Sequence, residues 1–190
     1  MNNKLKIISG KYKSRIISIP NKPYLKPTKA YIRENLFNVI NLNRCKSLLD
    51  LFSGSGILSI EAFSRGIKDI VLIEKDVKLV SSIKSNLSLL GENNIKIIND
   101  TVESFLKYNK KKSFDIIFID APFDTNLLKE TLILLRDNKY LDTNTFMYYE
   151  YSKKDKNDYK SYIKMTHNIL KDLSIGDVSY TISINKNKWK

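Results

Sequence analysis

The chain holds a single cysteine, Cys45, and a single histidine, His167, among its 190 residues. No disulfide can close within it and no Cys/His cage can be built around a metal, so a metal-independent protein of a reducing, cytoplasmic compartment is expected. No apolar run approaches the roughly 18 residues that cross a bilayer. The opening Met1-Asn-Asn-Lys-Leu-Lys-Ile-Ile lacks the apolar core of a secretion signal, which again favours a cytoplasmic, soluble protein without a membrane partner. Prolines are few, at four. Three of them, Pro20, Pro23 and Pro27, fall close together and break the chain between two differently patterned regions.

Acidic residues are also in deficit. The 33 Lys+Arg against 20 Asp+Glu give a formal net charge of +13, a balance that suits polyanionic partners such as nucleic acid or anionic lipid. Most of the basic residues are lysines, and heavy Asn and Ile usage accompanies them, which an AT-rich genome would also produce. Charge alone therefore suggests a partner and no chemistry.

Before the prolines, residues 6–9 and 15–19 are rich in β-branched side chains and flank Gly10-Lys-Tyr-Lys-Ser14, which predicts a basic hairpin. Thr28 is placed to cap a helix over residues 29–40, with Ile32, Leu36, Phe37 and Ile40 on one face. Residues 1–45 thus form an extension packed on a core of residues 46–190. From Lys46 the pattern changes to short apolar runs without alternation, the mark of strands buried on both faces. They are Ser47-Leu-Leu-Asp-Leu51, Asp69-Ile-Val-Leu-Ile73, Ile95-Lys-Ile-Ile98 and Phe114-Asp-Ile-Ile-Phe-Ile119. Helical segments near 57–64, 76–90, 101–108 and 126–136 alternate with them, so the expected fold is α/β, a doubly wound, mostly parallel sheet. Two late strands, at 146–151 and 178–184, are expected at a sheet edge. Lys153 to Lys160 and Lys110-Lys-Lys112 read as solvated loops, and His167 as structural.

Asp50-Leu-Phe-Ser-Gly54-Ser-Gly56 lies where the first buried strand gives way to a helix, the place where doubly wound sheets hold ligands. Glycines there let the backbone pass close to a bound molecule. The dinucleotide fingerprint is incomplete, because Ser59 stands where G-x-G-x-x-G needs its third glycine. Asp50 instead suits the ammonium end of a methionine-type cofactor. Glu74, ending the second run, matches the acidic position that grips ribose hydroxyls, and Asp100 can cap the next helix or reach an adenine amino group. Together with Phe52 in the same turn, Asp50, Gly54, Gly56, Glu74 and Asp100 form the expected site for S-adenosyl-L-methionine.

Asp120-Ala-Pro-Phe123 follows the fourth buried run at the same rim. An aromatic amine is a poor nucleophile because its lone pair is delocalised, so a methylating site must hold it in line while acceptors draw on its protons. Asp120 and the Ala121 carbonyl are such acceptors, Pro122 stiffens the turn, and Phe123 can stack on an extruded base.

With these residues in place the chain resembles the RsmD-type methyltransferases, which modify guanine N2 of 16S ribosomal RNA in bacteria. The likeness rests on Ile8-Ser-Gly-Lys-Tyr-Lys-Ser-Arg15, Lys26-Pro-Thr28, Ile32-Arg-Glu-Asn-Leu-Phe-Asn38, the Asp50–Gly56 turn running into Glu61-Ala-Phe-Ser-Arg-Gly66, and Asp120-Ala-Pro-Phe123. It implies a Rossmann-like class I enzyme, a monomer acting on one guanine of an assembling small subunit, with Lys11, Tyr12, Lys13, Arg15 and Lys26 contacting the RNA. Two departures stand out: Ala121 where the family usually has proline, and Lys26 where it has arginine. The first loosens the turn but keeps the carbonyl, and the second keeps charge without the planar fork. Rival expectations are transfer to another exocyclic amine, such as adenine N6 in DNA, and a non-catalytic assembly factor that kept the fold.

Overall fold

The structure, a computed structural model, describes residues 3–92, 95–109, 112–123, 125–154 and 165–186. A short antiparallel hairpin comes first, β1 (Asn3–Lys6) paired with β2 (Ile16–Ile19), followed by helix α1 (Ala30–Val39). The core then alternates β3 (Ser47–Leu51), α2 (Ile57–Ser64), β4 (Asp69–Ile73), α3 (Val77–Leu89), β5 (Lys96–Ile98), α4 (Val102–Tyr108), β6 (Ile116–Ile119) and α5 (Leu127–Asp137). It finishes with β7 (Phe146–Ser152), β8 (His167–Ile175) and β9 (Val178–Asn185).

These strands form one sheet in the order β5-β4-β3-β6-β7-β9-β8. The first five run parallel, β9 runs antiparallel to them beside β7, and β8 pairs antiparallel with β9. β3, β6 and four of the five residues of β4 are buried, because helices cover both faces and leave no polar side to the strands. On one face Leu48, Leu72, Phe118 and Tyr148 pack with α1, α2 and α3. On the other Leu49, Val71, Ile117 and Tyr149 pack with α4 and α5. The late region departs from expectation. It holds three strands, and β7 lies inside the sheet beside β6, while β8 is the edge. Only His167 is buried in β8 and its register shifts between Ile169 and Lys171, so no clean alternation marks it in the sequence. The Lys-rich stretch at 155–160 and Lys110-Lys111 lie outside the described residues, and Lys112 pairs with Asp69.

The extension shares the core on the α2 face rather than lying beside it: Ile7, Ile17, Ile19 and Leu36 are buried in that cluster. Its loop is clamped to α2. The Glu61 carboxylate, with no exposure, accepts from Ile8 N at 2.9 Å and Ser9 N at 3.0 Å, while Ser64 Oγ donates to Ser9 O at 2.5 Å. Lys11 N donates to the Ser64 carbonyl at 2.7 Å. Gly10 makes this approach possible, since its φ is +84° and an added Cβ would sit 1.9 Å from that same Ser64 oxygen. Gly10→Ala is therefore expected to destabilise the fold by about 2–4 kcal/mol, through left-handed strain plus displacement of backbone. A thermal melt should fall by roughly 5–10 °C at this chain length, and an unchanged melt would show that the loop does not need this contact.

Thr28 does not cap α1. Lys29 holds the N-cap position without a side-chain bond, and Thr28 Oγ1 instead faces Glu150 Oε1 at 3.5 Å.

Candidate active site

Four neighbouring strands each deliver one carboxylate to the C-terminal rim of the sheet. Glu74 follows β4, Asp50 lies one residue before the end of β3, Asp120 follows β6, and Glu150 lies on β7. Registers Asp50↔Phe118 and Leu51↔Ile73, with Ile119↔Tyr149, set Glu74, Asp120 and Glu150 level across the sheet. All four stand on the side of α1, α2 and α3, because the twofold alternation of a strand puts them with Leu72, Phe118 and Tyr148.

The row is electrostatically unbalanced. Burial raises the Asp50 carboxyl to about 7 against the pull of the Ser59 hydroxyl, which donates to Oδ2 at 2.6 Å, and the neighbouring Glu74 charge adds to the rise. Asp120 is held well above the usual carboxylate range by desolvation first, then by the charges of Glu150 and Asp50. Glu150, 8% exposed, is raised by burial and pulled back by the Tyr148 and Thr28 hydroxyls that donate to its Oε1. Among the described residues no lysine or arginine forms an ion pair with any of the four. In a chain of net charge +13, this rim is fitted to a cation.

Glu74 holds the glycine turn, accepting from Gly54 N and Asp76 N at 2.8 Å each. Ser53 ties the same turn to both strands, its hydroxyl donating to the Asp50 and Ile73 carbonyls at 3.0 and 3.1 Å. Phe52 takes φ +63°, a left-handed conformation rare for a bulky residue and typical of turns shaped for a ligand. Gly56 has φ +71° and a Cβ there would meet Ile83 Cγ1 of α3 at 3.0 Å, so the turn can pass this close to α3 only as glycine. Asp100 engages Thr101 N and Ser104 Oγ at 2.7 and 2.8 Å, while Thr101 provides the α4 cap.

The segment between hairpin and α1 runs over this rim. Lys22 and the Tyr24 hydroxyl reach Asp76, Leu25 packs beside Gly54, and Thr28 reaches Glu150. Exposed Lys26 lies on it. At the acceptor turn Phe123 is 37% exposed and Pro122 exposed, while the Ala121 side chain is buried in the α4 and α5 core. That packing holds residue 121 by contact.

Of the residues expected to touch RNA, Lys13, Arg15 and Lys26 are exposed, and Lys11 is exposed though paired with Glu92. Tyr12 corrects its expectation. Its ring is 8% exposed, stacks on Phe63 at 6.0 Å, and donates its hydroxyl to Glu92, so it serves the core and not a base. Lys4, Lys6, Lys13, Lys29 and the buried Arg33 line a hollow of about 510 Å³ between the hairpin and the start of α1, a grouping of basic residues that the hairpin loop alone did not suggest.

A glycine turn after the first buried strand, an acidic residue after the second and an Asp-x-Pro-aromatic turn after the fourth, on this sheet order, define a Rossmann-like class I methyltransferase. The solved structure of the Escherichia coli candidate methyltransferase yhhF superposes with a TM-score of 0.83 at 30% identity, covering 98% of this chain and all of that one. The chain belongs to the family described as Conserved hypothetical protein 95, matching it over residues 5–183. It is 42% identical to the Ribosomal RNA small subunit methyltransferase D of Buchnera aphidicola from Acyrthosiphon pisum, with 80% of this chain and 81% of that protein covered. The protein of the same name from Escherichia coli K12 is 37% identical, over 78% and 75% of the two chains.

Proposed function

We propose that this protein transfers a methyl group from S-adenosyl-L-methionine to the exocyclic N2 of a guanine in small-subunit ribosomal RNA. The observation that carries the reading is the row of carboxyl groups Glu74, Asp50, Asp120 and Glu150, without a basic partner among the described residues, set around a glycine turn. A ligand bearing an ammonium and a sulfonium offsets the charge that the fold itself leaves uncompensated. Asp50 and the glycine turn would hold the amino-acid end of such a ligand, Glu74 its ribose, and Asp100 its adenine. When bound, the cofactor supplies an electrophilic methyl group.

Asp120 and the Ala121 carbonyl orient the acceptor amine, each positioned to take a hydrogen bond from N2, and Asp120 receives the proton that N2 loses as the new N–C bond forms. Phe123 offers a ring face to the base. Lys13, Arg15, Lys26 and the hollow around Lys29 supply charge for the RNA backbone. The names of the relatives favour ribosomal RNA over DNA, and an acceptor turn that keeps Asp120, Pro122 and Phe123 favours an enzyme over an assembly factor. The test is incubation with labelled S-adenosylmethionine and small subunits from cells lacking the enzyme, followed by nucleoside analysis. N2-methylguanine at one position is expected; N6-methyladenine, or cofactor binding without transfer, would replace the reading.

A further inference from the structure

We infer that Glu150 is a specificity-determining residue that recognises guanine by accepting its N1–H, a proposal that rests on the reading above. Glu150 stands beside Asp120 in the register of β6 and β7, at the wall of the acceptor turn. Tyr148 packs its ring edge against Phe118 at 5.9 Å and donates its hydroxyl to Glu150. Thr28, from the segment crossing the rim, approaches the same carboxylate at 3.5 Å. Both hydroxyls fall on Oε1, and no described group donates to Oε2. A side chain nine-tenths buried is thus pinned through one oxygen, with the other left as an acceptor next to Asp120.

Chemistry decides what that acceptor reads. Along its Watson–Crick edge guanine presents N2–H and N1–H side by side, two donors in a row. Once both are ionised, Asp120 and Glu150 present two acceptors in a row. Adenine places a lone pair at N1, which would face a carboxylate oxygen and repel it. A base with the same N2 amine but no N1–H, 2-aminopurine, meets the same repulsion. Discrimination therefore comes from Glu150 and reactivity from Asp120. Among the described residues no basic group pairs with Glu150. Burial raises its carboxyl and the two hydroxyl donors counter that rise, so the acceptor-only form is the one present once its proton has left.

The substitution Glu150→Gln makes a sharp test, because Tyr148 and Thr28 would continue to hold an oxygen at the Oε1 position. The amide nitrogen is then left at Oε2 as a donor, repelled by guanine N1–H and complementary to the N1 lone pair of 2-aminopurine. Small-subunit RNA carrying guanine or 2-aminopurine at the methylated position, installed by ligation, is assayed with labelled S-adenosylmethionine. The wild type should favour guanine by on the order of 100-fold in kcat/KM. In the Gln variant the ratio should fall to about one or invert. A merely structural role would lower both rates together and leave the ratio unchanged, which would overturn the proposal. If the Gln variant does not fold, the wild type alone decides: equal rates on the two bases overturn the proposal, and a strong guanine preference upholds it. Failure of the proposed function reads differently, as no N2-methylguanine from the wild type at all.

Discussion

Asp120→Ala should lower kcat for methyl transfer by about 10²–10³-fold, the range for removing a positioned acceptor and proton-accepting group, while S-adenosylmethionine binding changes by only a few-fold. The expectation follows from where Asp120 stands. It follows β6 directly and is set at the level of Glu74 and Glu150, which puts its carboxylate on the side of the rim proposed for the acceptor, with Asp50 and Glu74 on the side proposed for the donor. Asp120→Asn separates its two duties. The amide keeps a carbonyl oxygen to orient N2 but cannot take the proton, so a milder loss is expected, about tenfold. The pH profile adds a second readout. Desolvation and the charges of Glu150 and Asp50 hold a proton on Asp120 well above the usual carboxylate range, so wild-type kcat should rise with pH as that proton leaves. In the Asn variant the rise should disappear. Transfer that is fast and equally pH-dependent in wild type and Asp120→Ala would remove Asp120 from the mechanism.

Much of this site was legible because its three first carboxylates occupy strand ends, and strand ends can be read from sequence. Runs buried on both faces consist almost wholly of Val, Ile, Leu and Phe, so a charged residue at or just past the end of such a run announces the rim. Asp50, Glu74 and Asp120 stand at such ends, and β3, β4 and α2 fall where the pattern places them. Glu150 was hidden by the strand it sits on. Phe146-Met-Tyr-Tyr-Glu-Tyr151 reads as a late edge strand, and only the sheet order puts β7 beside β6. Sequence periodicity gives the existence of strands and not their neighbours.

The same limit explains the other misplacements. Tyr12 sits among Lys11, Lys13 and Arg15, and a ring flanked by charges looks like a solvent-facing ring. Its partner Phe63 is far along the chain, and the contact exists because Glu61, Ser64 and Gly10 draw the loop onto α2. Thr28 has the residue type and spacing of a helix cap, but tertiary contact with Glu150 competes for its hydroxyl. Local rules fail at these points for one reason, that the extension is part of the site's wall and its polar groups are spent on the core.

Asp50→Asn should separate stability from binding, improving the first and removing the second. Burial takes the Asp50 carboxyl from its ordinary value of 3.8 to about 7. Between those pH values the folded chain keeps a proton that the unfolded chain has lost, so the cofactor-free protein loses stability as pH rises from about 4 towards 7, and the full penalty persists above. At 1.36 kcal/mol per pH unit, the penalty is on the order of 4 kcal/mol. Asparagine carries no charge to bury and keeps an oxygen for the Ser59 hydroxyl, so at pH 8 the free variant should melt several degrees above wild type, and at pH 4 the two should converge. Cofactor binding should respond oppositely. A buried carboxylate that meets an ammonium is worth about 3–5 kcal/mol to the pair when one partner is removed, so the variant should bind S-adenosylmethionine at least 100-fold more weakly. Wild-type affinity should also weaken as pH falls below about 7, because the ligand then competes with a proton for Asp50. Paired calorimetric titrations and melts across pH 4–8 check both halves; an Asn variant that binds as tightly as wild type would mean that the ammonium is held elsewhere on the rim.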